Sequence, residues 1–130
     1  MGISFDKAFG VHERAVQTRI QRAEILANNL ANADTPGYKA RDIDFSAVMA
    51  GVQTGDELPV EKTNSAHLSG LTAAEGNLLY RTPSQPSLDG NTVDTQTELV
   101  EYSRNTLEYQ AAFQFLSDRM SSLSKAIKGE

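Results

Sequence analysis

The strongest pattern of apolar and polar positions lies in the last third of the chain. Nine positions between residues 99 and 127 recur at alternating spacings of three and four, and eight of them are apolar or aromatic. Side chains at this spacing share one helix face, so the pattern predicts a helix over residues 94–128. We call these positions the C-terminal seam: Leu99, Tyr102, Thr106, Tyr109, Phe113, Leu116, Met120, Leu123 and Ile127.

The residues at the two ends of this helix match known capping preferences. Asp94 or Thr95 is expected as the N-cap, and Thr95 with Glu98 three residues later has the pattern of a capping box. Gly129 is the expected stop, because glycine readily adopts the left-handed conformation found at helix ends.

A second apolar seam predicts a helix over residues 8–32 near the start of the chain. The N-terminal seam consists of Phe9, Val16, Ile20, Ala23, Ala27 and Leu30. The helix should end near Asn32, because proline disfavours a helical conformation in the residue before it. Pro36 and Gly37 suit the two central positions of a type II turn, in which the second residue has positive φ.

The middle of the chain has a different composition. Residues 46–91 hold three of the four prolines and five of the nine glycines, which favours short strands and loops. Before them, residues 38–45 are expected to be extended, with a bulge or strand break near Asp42. The apolar bursts in the middle are Val48-Met49, Leu58 with Val60, Leu68, Leu71 and Leu78-Leu79-Tyr80.

The predicted fold is mainly α: an elongated coiled-coil hairpin of N- and C-terminal helices with a small irregular or β middle segment. Three parts follow from this, with an N-terminal helix and turn over residues 1–37, an extended and loop segment over 38–93, and a C-terminal helix over 94–130. Pairing the two seams would join the helices, which span about 36 Å and about 50 Å at about 1.5 Å per residue.

Seam pairing within one chain leaves further apolar side chains without a partner. Each Leu or Phe left in water forgoes about 1.5–3 kcal/mol of burial, a large amount beside a domain stability of about 5–15 kcal/mol. We therefore expect an assembly subunit whose second apolar row is covered by other chains. That row is Val100, Leu107, Ala111 and Phe115, and the off-seam residues of the first helix are Val11, Ala15, Ile25 and Leu26.

Composition and charge exclude several classes of function. The formal net charge of −5 argues against a nucleic-acid binder and against attachment to anionic lipid. The chain has no cysteine, so disulfides, Cys-ligated metals and a thiol nucleophile are excluded. The first residues show no basic region followed by an apolar run, so a cleaved secretory signal is not expected.

No set of residues has the spacing of a catalytic or metal site. His12 and His67 lie far apart and are interpreted as surface or hydrogen-bonded histidines. Asp42 and Asp44 share a strand face without a nucleophile or base, so solvated charge is the interpretation for both. We expect no enzyme activity, no cofactor, no metal and no small-molecule substrate.

The end of the first helix and the turn after it resemble a known signature. Residues 26–39 read Leu-Ala-Asn-Asn-Leu-Ala-Asn-Ala-Asp-Thr-Pro-Gly-Tyr-Lys, similar to the bacterial flagellar axial proteins of the rod and hook class. The stretch Asn105–Ala111 and the end at Leu123–Gly129 are similar to a short, proximal member of the basal-body rod family. Together the similar regions cover the two helices and their flanks.

The resemblance implies a structural subunit of the proximal rod, which crosses the periplasm as a drive shaft. It implies export through the flagellar type III apparatus without a cleaved signal peptide. The implied partners are other rod proteins, copies of the chain itself, and membrane-ring and export-gate proteins at the rod base. Two alternatives stay open: another short rod protein of the same family, and a soluble coiled-coil adaptor or export chaperone.

Assembly contacts are predicted at the two seams and at three asparagines of the signature. Asn28, Asn29 and Asn32 offer amides where helix carbonyls lack partners. The remaining candidates are Phe9, Val16, Ile20, Ala23, Ala27 and Leu30 on the first helix, and Leu99, Tyr102, Tyr109, Phe113, Leu116, Met120, Leu123 and Ile127 on the second.

Overall fold

A computed structural model describes residues 5–54, 78–83 and 87–129 of the chain. Its elements, in order, are α1 (Phe5–Ala31), β1 (Arg41–Ile43), α2 (Phe45–Thr54), β2 (Leu78–Tyr80) and α3 (Thr95–Lys128). The two long helices run antiparallel, since Asn29 lies beside Glu98 while Arg19 lies beside Glu108. The predicted mainly α fold with a small β element is confirmed.

The first helix begins three residues earlier than predicted and ends where its sequence favours a stop. Over 27 residues α1 spans about 40 Å at about 1.5 Å per residue. Beyond it the carbonyl of Thr35 accepts a hydrogen bond from the amide of Tyr38, and Gly37 has φ of 73°. A four-residue turn with positive φ at its third residue confirms the prediction made from Pro36 and Gly37.

A distant asparagine caps the end of α1. The Nδ2 of Asn91 donates to the carbonyl oxygens of Asn32, Ala33 and Thr35 at 3.0, 2.8 and 2.9 Å. The carbonyls of Asn32 and Thr35 also accept from the backbone amides of Thr35 and Tyr38, and the buried side-chain amide of Asn91 gives all three carbonyls a hydrogen bond at the end of the helix, where intrahelical donors run out. The loop that carries Asn91 is thereby fixed to the far end of α1, just ahead of α3.

A short antiparallel ribbon joins the middle of the chain to the helices. Arg41 pairs with Tyr80, Asp42 with Leu79, and Ile43 with Leu78. The pairing runs without interruption through Asp42, so the expected bulge there is wrong. The strand is also shorter than the predicted extended segment 38–45, because the chain turns into a helix immediately after Asp44.

Helix α2 replaces the strand or loop predicted around Val48 and Met49. The carboxylate of Asp44 accepts hydrogen bonds from the backbone amides of Ser46 and Ala47 at 2.9 and 3.1 Å, which makes it an N-cap. Val48 is buried on the face of α2 toward the rest of the chain. The apolar burst was therefore one turn of a capped helix. Leu58, Val60, Leu68 and Leu71 lie outside the described residues.

Helix α3 covers nearly the predicted range but begins differently. Asp94 is the N-cap, and its side chain accepts hydrogen bonds from the amides of Gln96 and Thr97. The predicted capping box of Thr95 with Glu98 is wrong, because the Glu98 side chain turns inward to contact other elements. At the other end Gly129 has φ of 75° and donates to the carbonyl of Lys125, as predicted.

The Asn91 cap can be tested by an isosteric change. Asn91→Asp replaces a donor with a carboxylate facing three carbonyl oxygens, so we expect a loss of about 1–3 kcal/mol of unfolding free energy. Urea denaturation followed by circular dichroism measures it. Asn28→Asp, which adds the same charge at an exposed position near the same helix end, is the control and should lose clearly less. Equal losses would contradict the capping role.

Candidate assembly surfaces

The two long helices meet along a line of mainly polar side chains. From α1 this line consists of Thr18, Arg22, Leu26 and Asn29, and from α3 of Glu98, Glu101, Asn105 and Glu108. Leu26 is the fully buried apolar residue of the set. Each of these positions shares its helix face with the others through spacings of three and four. We call this set the internal line.

Asn29 is the centre of the internal line. Its Nδ2 donates to Oε2 of Glu98 at 3.1 Å and to the carbonyl of Arg41 at 2.7 Å. Its Oδ1 accepts from the amide of Arg41 at 3.1 Å and from the hydroxyl of Tyr38 at 3.3 Å. Because an amide both donates and accepts, Asn29 holds α1, β1 and α3 together in a way that no apolar or acidic residue could.

Two arginines and three carboxylates form a chain of ion pairs beside Asn29. Arg22 binds Asp42 through Nε and Nη2 at 2.8 and 2.9 Å, and its Nη2 also donates to Glu101 at 2.8 Å. Arg81 donates to Asp42 and to Glu98 at 2.5 Å each. We call these five residues the arginine–carboxylate network, which connects α1, β1, α3 and the residue after β2. The interpretation of Asp42 as solvated charge is therefore wrong.

Burial shifts the two inner carboxyls of the network in different net directions. Burial is the largest influence on Glu98 and raises its pKa, although Asn29 and Arg81 act in the opposite sense. Burial also pushes the pKa of Asp42 upward, but the hydrogen bonds from Arg22 and Arg81 outweigh it, so this pKa is lowered overall. As the pH falls, Glu98 is thus the member of this pair that takes up a proton first.

A second polar cluster anchors the other part of the helix pair. Nη1 of Arg19 lies 2.6 Å from Oε2 of Glu108, and its guanidinium lies 3.7 Å from the centre of the Phe45 ring. The Nδ2 of Asn105 donates to the carbonyl of Arg19 at 2.9 Å. A cation over an aromatic face is attracted by the ring quadrupole. Arg19 therefore connects α1, α2 and α3 with one side chain.

The predicted pairing of the two seams face to face is wrong. On α3 the internal line comes one residue before the seam, so that Glu98, Glu101, Asn105 and Glu108 precede Leu99, Tyr102, Thr106 and Tyr109. On α1 the same offset places Arg22, Leu26 and Asn29 before Ala23, Ala27 and Leu30. One residue rotates a helix position by about 100°. Because the helices are antiparallel, both seams turn to the same side of the pair and flank a groove.

That groove has a volume of about 370 Å³. Ile20, Ala23 and Ala27 line it from α1, and Tyr102, Thr106 and Tyr109 line it from α3, together with Arg19, Glu24 and Asn105. Tyr109 and Phe113 continue the aromatic surface along α3, with ring centroids 6.3 Å apart. The seam side chains that the sequence places on one face of each helix are thus brought together, but beside the contact between the helices and not within it.

Burial within one chain divides the predicted site residues into two groups. Exposed side chains are Leu99, Tyr102, Phe113, Met120 and Ile127 on α3, and Ile20, Ala27 and Asn28 on α1. Half-buried side chains are Tyr109, Leu116 and Leu123 on α3, and Phe9, Val16, Ala23, Leu30 and Asn32 on α1. Asn29 is fully buried. The role of these residues in contacts between chains stays a prediction.

The three asparagines of the signature have separate roles in the chain. Asn32 binds a helix carbonyl as predicted, since its Nδ2 donates to the carbonyl of Asn28 at 2.8 Å. Asn29 instead spans to another helix, and the side chain of Asn28 is exposed.

Sequence reasoning missed the arginine–carboxylate network. A usable signal was present on α3, because Glu98, Glu101, Asn105 and Glu108 repeat with spacings of three, four and three beside the apolar seam. Such a polar line is normally interpreted as a solvated face. Its partners Asp42 and Arg81 come from distant parts of the chain, which no local pattern connects.

The described residues contain no cluster of His, Cys, Asp or Glu arranged to hold a metal ion. Within the same ranges, no helix has the length and apolar character needed to cross a bilayer. Two long paired helices with uncovered apolar faces are typical of one class of protein, the helical structural subunits of larger assemblies.

Comparison with known proteins identifies the family within this class. A family model described as flagella basal body rod protein matches residues 9–39, from α1 through the turn at Gly37. The flagellar basal body rod protein FlgB of Aeromonas hydrophila is 49 % identical, with 100 % of this chain and 99 % of the relative covered. FlgB of Cereibacter sphaeroides is 46 % identical, with coverages of 97 % and 98 %. FlgB of Salmonella typhimurium is 40 % identical, with 95 % of each chain covered.

The chain belongs to the FlgB family of flagellar basal body rod proteins. Its function is that of a structural subunit of the proximal rod, assembled with other rod components.

The buried carboxyl of Glu98 gives a pH-dependent test of the network. Because its pKa is higher in the folded chain than the ordinary value of 4.5, the folded state binds the proton more tightly. The stability that Glu98 contributes is therefore greatest at low pH and falls as the pH rises through the raised pKa. The unfolding free energy of the wild type minus that of Glu98→Gln should fall as the pH rises from 4.5 through the raised pKa of Glu98, and should then level off.

Urea denaturation at a series of pH values measures this difference. Glu24→Gln, which removes the same charge from an exposed position of α1, is the matched control. A wild-type advantage over Glu98→Gln that stays constant, or grows as the pH rises above 4.5, would contradict the assignment.

Proposed function

We propose that this chain contacts other rod subunits, including copies of itself, through the apolar side chains that α1 and α3 leave uncovered. The observation that carries the proposal is the burial pattern of α3. The polar side chains of its internal line hydrogen-bond or ion-pair with other elements of the same chain, while apolar side chains remain exposed on both other sides of the helix. Burial among neighbouring chains would cover them and contribute about 25 cal/mol per Å² of apolar surface removed from water, which offsets the entropy lost on association.

The finer elements of the proposal rest on family membership. The subunit lies at the rod base, next to membrane-ring and export-gate proteins, and is exported without cleavage of a signal peptide. Its role is mechanical, with no catalytic turnover. Relatives named flagellar basal body rod protein match this chain over nearly its whole length, which supports this assignment.

The proposal predicts that Phe113 acts in assembly and not in the fold of the single chain. Phe113 is 54 % exposed, so Phe113→Asp should change the unfolding free energy of the free subunit by no more than about 1 kcal/mol. Placing an unpaired charge in a contact between chains is much more unfavourable. We therefore expect loss of swimming, and absence of the variant from purified basal bodies, in cells that lack the native protein.

Gln110→Asp is the matched control for this variant. Gln110 is exposed about one helical turn away, on the polar strip of α3 between the seam and the second apolar row. It should support swimming. Normal motility with Phe113→Asp would show that the seam is not a contact surface.

A further inference from the structure

The groove between α1 and α3 is apolar in its walls and negative in its unpaired charge. Ala23 and Ala27 have short side chains, which leave room for bulkier groups between Ile20 and the tyrosines of α3. Arg19 also lines the groove, but its charge is matched by Glu108 and its guanidinium stacks on Phe45.

Two acceptor groups of the groove, the Glu24 carboxylate and Oδ1 of Asn105, lack a partner among the described residues. Glu24 is exposed at the groove, and the described residues provide no cation for its carboxylate. Asn105 also lines the groove, and its buried Oδ1 accepts no hydrogen bond from the described residues. Buried acceptors normally have a partner, so the groove holds one unpaired negative charge and one unmet acceptor. A complementary occupant needs an apolar surface that carries a positive charge.

The second apolar row of α3 has these properties. Val100, Leu107 and Phe115 are 66 %, 67 % and 62 % exposed, and with Ala111 they follow spacings of seven, four and four. Arg104 lies on the same face between Val100 and Leu107, with a largely exposed side chain. Its Nε lies 3.2 Å from Oε1 of Glu108 on its own helix, a solvent-accessible pair of the kind that contributes little to stability. We call Val100, Arg104, Leu107, Ala111 and Phe115 the ridge.

The groove and the ridge face in different directions. Tyr102 in the groove lies two residues after Val100 on the ridge, and Tyr109 lies two residues after Leu107. Two residues rotate a helix position by about 200°, so the groove and the ridge lie about 160° apart around α3. A chain cannot place its own ridge in its own groove. A symmetric dimer formed groove to groove would leave both ridges uncovered and would bring no unpaired cation to either Glu24.

We propose that the ridge of one copy of this chain packs into the groove of the next copy, with Arg104 beside Glu24. This inference deepens the proposed function, on which it rests, by assigning which surface of one subunit meets which surface of its neighbour. The contact is heterologous: each copy offers one groove and one ridge, so a row of copies extends without closing on itself. The groove at the end of the row remains free for a different chain.

Cysteine crosslinking in the full-length chain tests the contact directly, since the chain has no cysteine of its own. Ala27→Cys places a thiol in the groove and Leu107→Cys places one on the ridge. In basal bodies from cells that express the double variant alone, oxidation should give covalent oligomers of this chain. The control pair is Leu107→Cys with Gln21→Cys, because Gln21 is exposed on α1 away from the groove, and it should give none.

A charge exchange provides an independent measurement. Glu24→Arg or Arg104→Glu alone should lower the yield of crosslinked oligomers by about tenfold, because each brings like charges together. The combined exchange should restore most of the yield, which a merely destabilised chain would not do. Circular dichroism of each purified subunit checks that its helices are retained.

The outcomes separate this inference from the proposed function. Incorporation of the chain into basal bodies without groove-to-ridge crosslinks, or a double exchange no better than the single changes, would overturn the inference and leave the rod function intact. Crosslinking of the groove cysteine solely to a different protein would also overturn it. Absence of the wild-type chain from purified basal bodies would overturn the proposed function itself.

Discussion

The fold of a single subunit depends on one buried amide and the carboxylate beside it. Asn29 and Glu98 meet at the centre of the contact between α1 and α3, and the arginine–carboxylate network extends from them to the ribbon. Breaking a buried pair leaves an uncompensated charge and destabilises by about 3–5 kcal/mol, whereas misaligned partners gain almost nothing. Such contacts are sensitive to register. They fix the two helices and the β ribbon in one relative position more strictly than interchangeable apolar side chains would.

This polar interior explains why so much apolar surface is left outside. A two-helix contact offers each helix a single face, and here that face is occupied by Thr18, Arg22, Asn29 and their partners. The apolar seams are turned about 100° away, toward a common groove. The chain thus uses directional hydrogen bonds and ion pairs for much of its own fold and leaves apolar side chains exposed, which under our proposal are covered by neighbours.

The turn region shows how one local shape can be built from residues far apart in sequence. Gly37 and Gly90 both have positive φ, and the amide of Gly37 donates to the carbonyl of Asp89 at 2.9 Å. A Cβ added to Gly90 would lie 3.8 Å from the Cα of Gly37, so the two loops run close together. Asn91 then closes the end of α1. The end of the first helix and the start of the last helix therefore form one structural unit, which the sequence of either segment alone does not predict.

Local patterns determined the two long helices, their stops at Ala31 and Gly129, and the turn at Gly37, because these depend on spacing, capping and backbone conformation within a few residues. The same patterns predicted a strand or loop where α2 lies, because its N-cap Asp44 directly follows a strand. They also predicted that Glu98 forms a capping box, whereas its side chain binds Arg81. Only the tertiary structure decided which faces of α1 and α3 meet. The reason is physical: apolar periodicity marks a face that must be buried somewhere, but whether its own chain or a neighbour buries it depends on side chains such as Asp42 and Arg81 that arrive from distant segments.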